Sequence, residues 1–178
     1  MAQYCFGIYL WKDKTEKYIT NLSMFNYFIR NSVQDFMIAS AKEIISRSEN
    51  HSIVDIELNF NKKFYLVGVK NIDTSCFIFT TEENRHTHLI TLAKYIIHKE
   101  LADSIQKNFE YITTELKYVQ ISKELDDIKY IMIENIDILL KRGENLDDLV
   151  ERTNHLSDES KIFYIRTKKM NNSCCNIF

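Results

Sequence analysis

The chain has 178 residues and a formal net charge of −2 at pH 7, which suits one compact domain with an extended element and implies no strong attraction to nucleic acid. Its four cysteines lie in apolar segments or side by side near the C-terminus, which argues against a disulfide framework and suits a reducing compartment. Proline is absent and glycine occurs three times, which favours long helices and regular strands.

The N-terminal residues contain neither a basic run nor an apolar run, so no signal peptide is expected. Ala2 stands where N-myristoylation requires glycine, which excludes that modification. No stretch approaches the roughly 18–20 apolar residues of a membrane-spanning helix. Any association with a membrane is therefore expected to depend on a feature other than a signal peptide, an N-myristoyl group or a membrane-spanning helix.

Residues 1–112 are predicted to form an α+β domain. The aromatic and β-branched segments 4–11 and 17–22 predict two strands that pair across a charged turn. Apolar residues at helical spacing over 33–45, with Ser32 as the N-cap, predict the first helix.

Three further strands are predicted at 53–58, 63–69 and 76–80, followed by a second helix at 88–98. The order β-β-α-β-β-β-α predicts one antiparallel, five-stranded sheet with flanking helices.

The same half of the chain contains few candidates for metal-binding or catalytic residues. His86 and His88 form an H-x-H pair, but no cysteine or carboxylate set accompanies them at metal-ligand spacing. The sequence also has no glycine-rich phosphate loop and no nucleophile motif. We therefore expect no enzymatic activity, no catalytic residue and no metal or cofactor.

Residues 113–173 follow a different period. Alternate steps of three and four residues from Tyr118 reach sixteen positions, of which eleven are apolar. A period of 3.5 residues sustained in this way predicts a left-handed coiled-coil helix, whose narrow apolar stripe needs partner helices. The predicted layer residues are Tyr118, Ile121, Leu125, Ile128, Met132, Asn135, Leu139, Arg142, Leu146, Leu149, Thr153, Leu156, Ser160, Phe163, Thr167 and Met170.

Arg142 interrupts the apolar stripe at its middle. A guanidinium inside a helical bundle is costly unless its donors are satisfied, but one buried polar layer fixes alignment and partner choice. The alternative is a register error with Arg142 at the surface, and that register would expose Leu139 and Leu146. Asn135, one heptad earlier, is a second polar candidate.

The C-terminal tail, residues 174–178, reads CCNIF. Cys175 occupies the prenylated position of a C-a-a-X signal, and Phe178 at the X position favours geranylgeranyl over farnesyl. Cys174 is a candidate for a second lipid, either palmitoyl or prenyl. One lipid binds a membrane weakly and two bind it stably. The alternative is a pair of incidental thiols at a frayed end.

Three segments resemble one known family. Residues 140–150 (LKRGENLDDLV) resemble the centre of an R-SNARE helix with Arg142 as its zero layer. Residues 160–164 (SKIFY) and the cysteine pair resemble the end of the prenylated longin R-SNAREs of the Ykt type, within the synaptobrevin-like family. Residues 28–37 resemble the start of the first longin helix of that family.

The resemblance implies a longin domain at 1–112, an R-SNARE motif at 113–173 and a lipidated tail at 174–178. It implies that the motif joins Qa, Qb and Qc helices of Q-SNARE proteins in a parallel four-helix bundle, where Arg142 meets three glutamines. The protein would act in vesicle docking and membrane fusion at the cytoplasmic face of Golgi, ER–Golgi and endosomal or vacuolar membranes. A second pool of the protein would remain in the cytoplasm. A prenyltransferase and the SNARE-disassembly machinery would be further partners, and nucleic acid would not.

The resemblance also implies that the longin domain folds back on the SNARE helix and shields lipid in a groove that includes Phe36 and Ala39. Phe36 is expected to be a core residue rather than a residue of the groove. Ala39 stands where the family often carries a second aromatic residue, a departure that leaves the tightness of the closed state open. The alternative function is a prenylated longin coiled-coil regulator or tether that does not drive fusion.

Overall fold

The computed structural model describes residues 5–60, 62–81, 86–99, 131–133, 146–154 and 156–173. Its strands are β1 (Cys5–Lys12), β2 (Thr15–Thr20), β3 (Ser52–Phe60), β4 (Lys62–Lys70), β5 (Thr74–Thr80) and β6 (Ile131–Ile133). Its α-helices are α1 (Arg30–Arg47), α2 (His86–Lys99), α3 (Leu146–Arg152) and α4 (Asp158–Ser173).

The strands form one sheet in the order β2-β1-β5-β4-β3-β6. The first five strands pair antiparallel with their neighbours, and helices cover both faces of the sheet. The predicted α+β class with a five-stranded antiparallel sheet is therefore confirmed. The sixth strand, which pairs parallel with β3, comes from the C-terminal segment and was not predicted.

The β1–β2 hairpin turns at the charged residues that the sequence indicated. Asp13 and Lys14 have φ angles of 48° and 65°. Two consecutive left-handed residues form the tight turn whose twist matches that of a β-hairpin. Thr15 Oγ1 donates to the carbonyl oxygen of Lys12 at 2.6 Å and supports the turn.

Helix α1 begins earlier than its hydrophobic pattern indicated. A 3-10 turn, Tyr27–Ile29, leads directly into it, and the Asn26 side chain accepts a hydrogen bond from the Phe28 amide at 3.2 Å. Ser32 therefore lies inside the helix, and its prediction as the N-cap was wrong. The reason is that Asn26 has already satisfied the entry turn, a contact that the apolar spacing does not reveal.

The end of α1 is tied to the sheet by Lys70. Its Nζ donates to the carbonyl oxygens of Ile45 at 2.6 Å and Ser48 at 2.5 Å. These carbonyls have few partners within the helix, and a cation at this end also interacts favourably with the helix dipole. Burial lowers the pKa of Lys70.

Aromatic side chains fill the core between the sheet and α1. The ring of Phe64 makes edge-to-face contacts with Phe6 at 5.5 Å and with Phe36 at 6.0 Å between centroids. Gly7 of β1 lies against Met37 of α1, and a Cβ there would meet the terminal methyl group of Met37. That methyl group is the end of a flexible side chain, so a larger residue at position 7 would displace it.

Helix α2 covers the opposite face of the sheet. This second core contains the apolar residues Leu89, Leu92, Ala93, Ile96, Val67, Val69 and Ile78. Cys5 and Cys76 lie in the same cluster, and burial raises the pKa of both thiols, that of Cys5 to about 12. These two cysteines are therefore packing residues rather than reactive thiols.

The described part of the C-terminal segment is not one continuous helix. Residues 131–133 form β6 beside β3, and helical structure is interrupted between α3 and α4. The segment has no partner helices in a single chain, so its apolar residues pack on the chain's own domain instead. Among the described residues, no helix has the length and hydrophobicity to cross a bilayer.

Candidate functional site: the contact between α1 and α4

Two stacked rings lie at the centre of the site. Phe36 of α1 and Tyr164 of α4 are nearly parallel, with centroids 5.6 Å apart and planes at 14°. Both side chains are buried. Phe36 also contacts Phe64 of the sheet, so its ring joins the core of the domain to the C-terminal segment.

A carboxylate beside the stacked rings holds the start of α4. Asp35 Oδ2 accepts hydrogen bonds from the hydroxyls of Ser157 at 3.0 Å and Ser160 at 2.9 Å. Ser157 Oγ in turn accepts from the Ser160 amide at 3.3 Å, as an N-cap does. The negative charge of Asp35 also lies at the end of a helix where anions are stabilised. We call these five residues, Asp35, Phe36, Ser157, Ser160 and Tyr164, the α1–α4 contact.

Helices α3 and α4 are bonded to each other beside this contact. The Tyr164 hydroxyl donates to Asp147 Oδ1 at 3.2 Å, and Lys161 Nζ donates to the carbonyl oxygen of Glu151 at 3.2 Å. Burial, followed by the charge of Asp147, raises the pKa of Tyr164. Its hydroxyl therefore remains a donor throughout the neutral range.

The buried face of α3 and α4 overlaps the predicted layers without coinciding with them. The predicted layer residues Thr153, Leu156 and Ser160 are buried, and Phe163 is half-buried against the core. Val150 and Tyr164 are also buried, yet each follows a predicted layer by one position. Val150 and Tyr164 lie in two helices separated by a break, so each helix turns its own face to the domain and the buried positions depart from a continuous 3.5-residue seam.

The structure describes some of the other predicted site residues fully, some by their position in an element alone, and others not at all. Ala39 is a residue of α1 and is buried in the core. Met132 lies in β6, and Leu146, Leu149, Thr167 and Met170 lie in α3 and α4, with their side chains outside the description. The predicted residues outside the described ranges are Tyr118, Ile121, Leu125, Ile128, Asn135, Leu139, Arg142, Cys174 and Cys175.

Sequence reasoning missed Asp35 and Tyr164. Asp35 is one of many acidic residues, and nothing in its local pattern distinguishes it. Tyr164 follows a layer residue directly, so a helix with a 3.6-residue repeat could have indicated its burial. Ser157 carried a weak signal, because a serine directly before acidic first-turn residues, here Asp158 and Glu159, is typical of an N-cap.

Comparison with known proteins identifies relatives over nearly the whole chain. A family model described as Synaptobrevin matches residues 117–176. The VAMP-like protein YKT61 of Arabidopsis thaliana is 30% identical, and the match covers 89% of this chain and 87% of the relative. Synaptobrevin homolog YKT6 of Debaryomyces hansenii is 30% identical over 88% of each chain, and the ykt6 homolog of Schizosaccharomyces pombe is 29% identical over 89% of this chain and 88% of the relative.

An α+β domain of the longin type followed by a synaptobrevin segment defines the class as a longin SNARE protein. Within that class, the chain belongs to the Ykt6 family of synaptobrevin homologues. It is a SNARE protein of vesicle transport and membrane fusion, and SNARE proteins act by pairing with one another.

Proposed function

We propose that the chain is an R-SNARE whose segment 113–173 joins Qa, Qb and Qc helices in a parallel four-helix bundle. Arg142 is the central charged layer and meets three glutamines. The observation that supports this role is the burial of Thr153, Leu156 and Ser160 on the chain's own domain. These residues form part of a stripe that is covered in the single chain and that partner helices would cover in the bundle.

The α1–α4 contact supports a second part of the proposal, which is autoregulation. Thr153, Leu156 and Ser160 cannot pack on the folded domain and on partner helices at the same time. The closed chain and the bundle therefore compete for one surface, and Q-SNARE helices shift the population toward the open form. Assembly is expected to accelerate whenever the α1–α4 contact is weakened.

Strand β6 adds a change of secondary structure to this competition. Met132 is a predicted layer of the bundle helix, but in the closed chain it lies in a strand that pairs with Ile53 of β3. Entry into the bundle therefore requires β6 to leave the sheet edge and become helical. This requirement makes opening cooperative, because the strand pairing and the α4 packing belong to one continuous segment.

The lipids on Cys174 and Cys175 would hold the open chain at the cytoplasmic face of its membrane. Only residues 171–173 separate them from Met170, the last predicted layer. Such a short connection would bring the end of the assembled bundle close to the bilayer. The fusion role therefore depends on both the layer set and the lipid anchor.

The test of this function is assembly with purified Q-SNARE helices, followed by detection of SDS-resistant complexes. We expect a complex that contains all four helices. Leu146→Asp should weaken assembly strongly, because an unpaired carboxylate in a buried layer costs several kcal/mol. Arg142→Ala should assemble but lose fidelity of alignment and partner choice. A wild-type chain that forms no such complex would contradict the R-SNARE role and favour a tether that does not drive fusion.

A further inference from the structure

The loop between β2 and α1 presents two adjacent aromatic side chains to solvent. Tyr27 is 76% exposed and Phe28 is 87% exposed, and their rings make an edge contact at 5.8 Å between centroids. They are the most exposed large apolar side chains among the described residues. A single exposed apolar residue needs no explanation, but a contiguous aromatic pair indicates an interaction surface.

This loop is held firmly in place. Phe25 is buried in the core, and the Asn26 side chain accepts from the Phe28 amide at 3.2 Å. Arg30 donates through Nε to the Phe25 carbonyl oxygen at 3.1 Å and through a terminal nitrogen to that of Ser23 at 3.3 Å. The two rings therefore project outward from a structured loop rather than from a frayed end.

The charge of the surrounding sequence favours an anionic surface as the partner. Residues 17–34 contain no aspartate or glutamate, and their charged residues are Lys17 and Arg30. The Arg30 guanidinium lies 5.9 Å from the centre of the Tyr27 ring. Arginine has five N–H donors, and the two bonds to loop carbonyls leave donors that can reach a phosphate.

The shape of the surface favours a bilayer over a folded partner. Rings with exposures of 76% and 87% are covered by little of the rest of the chain, so they project into solvent and do not line a pocket. Aromatic side chains prefer the boundary between headgroups and acyl chains, and nearby arginine or lysine residues are attracted to anionic headgroups. We propose that Tyr27 and Phe28 form a membrane-contact tip that enters this boundary of an anionic bilayer, with Arg30 beside the phosphates.

This contact is separate from SNARE pairing and from the lipid anchor. Tyr27 and Phe28 lie outside the α1–α4 contact and are exposed while α4 is packed on α1. The tip is therefore available in the closed chain. Tests that use no Q-SNARE helix and no lipidated cysteine separate its failure from failure of the proposed function.

Tryptophan fluorescence can report the position of the tip, because Trp11 is the chain's single tryptophan. The probe is the full chain with Cys174→Ser, Cys175→Ser, Trp11→Phe and Phe28→Trp. Vesicles of phosphatidylcholine and phosphatidylserine should shift its emission to shorter wavelength, and brominated acyl chains should quench it. The control replaces Phe28→Trp with Ile72→Trp, since Ile72 is 58% exposed on the β4–β5 turn at the other end of the sheet.

A binding measurement completes the test. The double variant Tyr27→Ser with Phe28→Ser should partition onto these vesicles about a hundredfold less than the unchanged chain, because it loses the burial of two aromatic side chains. Ile72→Ser should partition as the unchanged chain does, and all melting temperatures should agree. The proposal is overturned if the Phe28→Trp probe does not respond to vesicles, or if Ile72→Ser loses as much binding. A shift that depends on protein concentration without vesicles would instead identify a second copy as the partner.

Discussion

At the scale of single residues, Tyr164 is expected to stabilise the closed chain and not the predicted bundle. It is buried against Phe36 in the single chain, yet it is not a predicted layer residue. Tyr164→Ala should destabilise the closed chain by about 3 kcal/mol, because it removes a large buried ring. Assembly with Q-SNARE helices should then be faster, and the final complex should be as stable as before.

Two further variants isolate the contributions to this effect. Tyr164→Phe retains the ring and loses only the hydroxyl bond to Asp147, so its effect should be much smaller. Ile162→Ala changes an exposed residue of the same helix and should alter neither stability nor assembly rate. Denaturant unfolding and stopped-flow assembly measure the two quantities. Equal behaviour of Tyr164→Ala and Ile162→Ala would contradict the importance of the stacked rings.

Asp35 is the second residue on which the α1–α4 contact depends. Asp35→Ala removes the acceptor of two serine hydroxyls, which should cost about 1–3 kcal/mol and increase hydrogen exchange at the start of α4. Asp35→Asn keeps one side-chain oxygen and should restore part of the protection. Exchange in β4 and β5 should be unchanged in both variants. If α4 exchanges at the same rate in all three proteins, Asp35 does not hold the helix.

At the scale of secondary-structure elements, β6 is the shortest strand of the sheet that the structure describes. It has three residues, and Ile133 is its buried anchor. Ile133→Ser should cost about 1–3 kcal/mol of closed-state stability by removing buried apolar atoms. Amide exchange should then rise in residues 52–54 of β3, which pair with β6, and should stay low in the β4–β5 ladder. Unchanged exchange at 52–54 would mean that β6 does not depend on this anchor.

Helix α4 illustrates why one segment can serve two packings. It contains the predicted layers Ser160 and Phe163 and the off-layer residue Tyr164. A supercoiled bundle selects positions at a period of 3.5, whereas a straight helix on the domain selects positions at 3.6. Among the α4 residues whose side chains are described, Ser160 belongs to both buried faces and Tyr164 only to that of the single chain. Substitution of Tyr164 can therefore change one state without the other.

At the scale of the whole molecule, membrane attachment is expected to depend on two lipids, of which the one on Cys175 is essential and the one on Cys174 strengthens binding. Cys175→Ser should release the protein into the soluble fraction, because prenylation reads this cysteine at a fixed distance from the C-terminus. Cys174→Ser should leave one lipid and therefore weak, reversible binding. Membrane fractionation of both variants beside the wild type measures this difference. Equal retention of Cys175→Ser and wild type would contradict the lipid anchor.

The sequence by itself determined the strands and helices whose formation depends on neighbouring residues. Alternating or continuous apolar residues gave the first five strands, helical spacing gave α1 and α2, and the repeat from Tyr118 to Met170 indicated a segment that needs a partner surface. Each of these signals depends on the order of neighbouring residues, so no knowledge of distant segments was required.

Only the tertiary structure decided where that segment packs. The burial of Tyr164 requires Phe36, the start of α4 requires Asp35, and β6 requires the open edge of β3. These partners lie far away in the sequence, and an apolar stripe is equally compatible with other helices or with the chain's own domain. The choice in a single chain depends on which surface is within reach, and the folded domain supplies that surface at no loss of translational freedom.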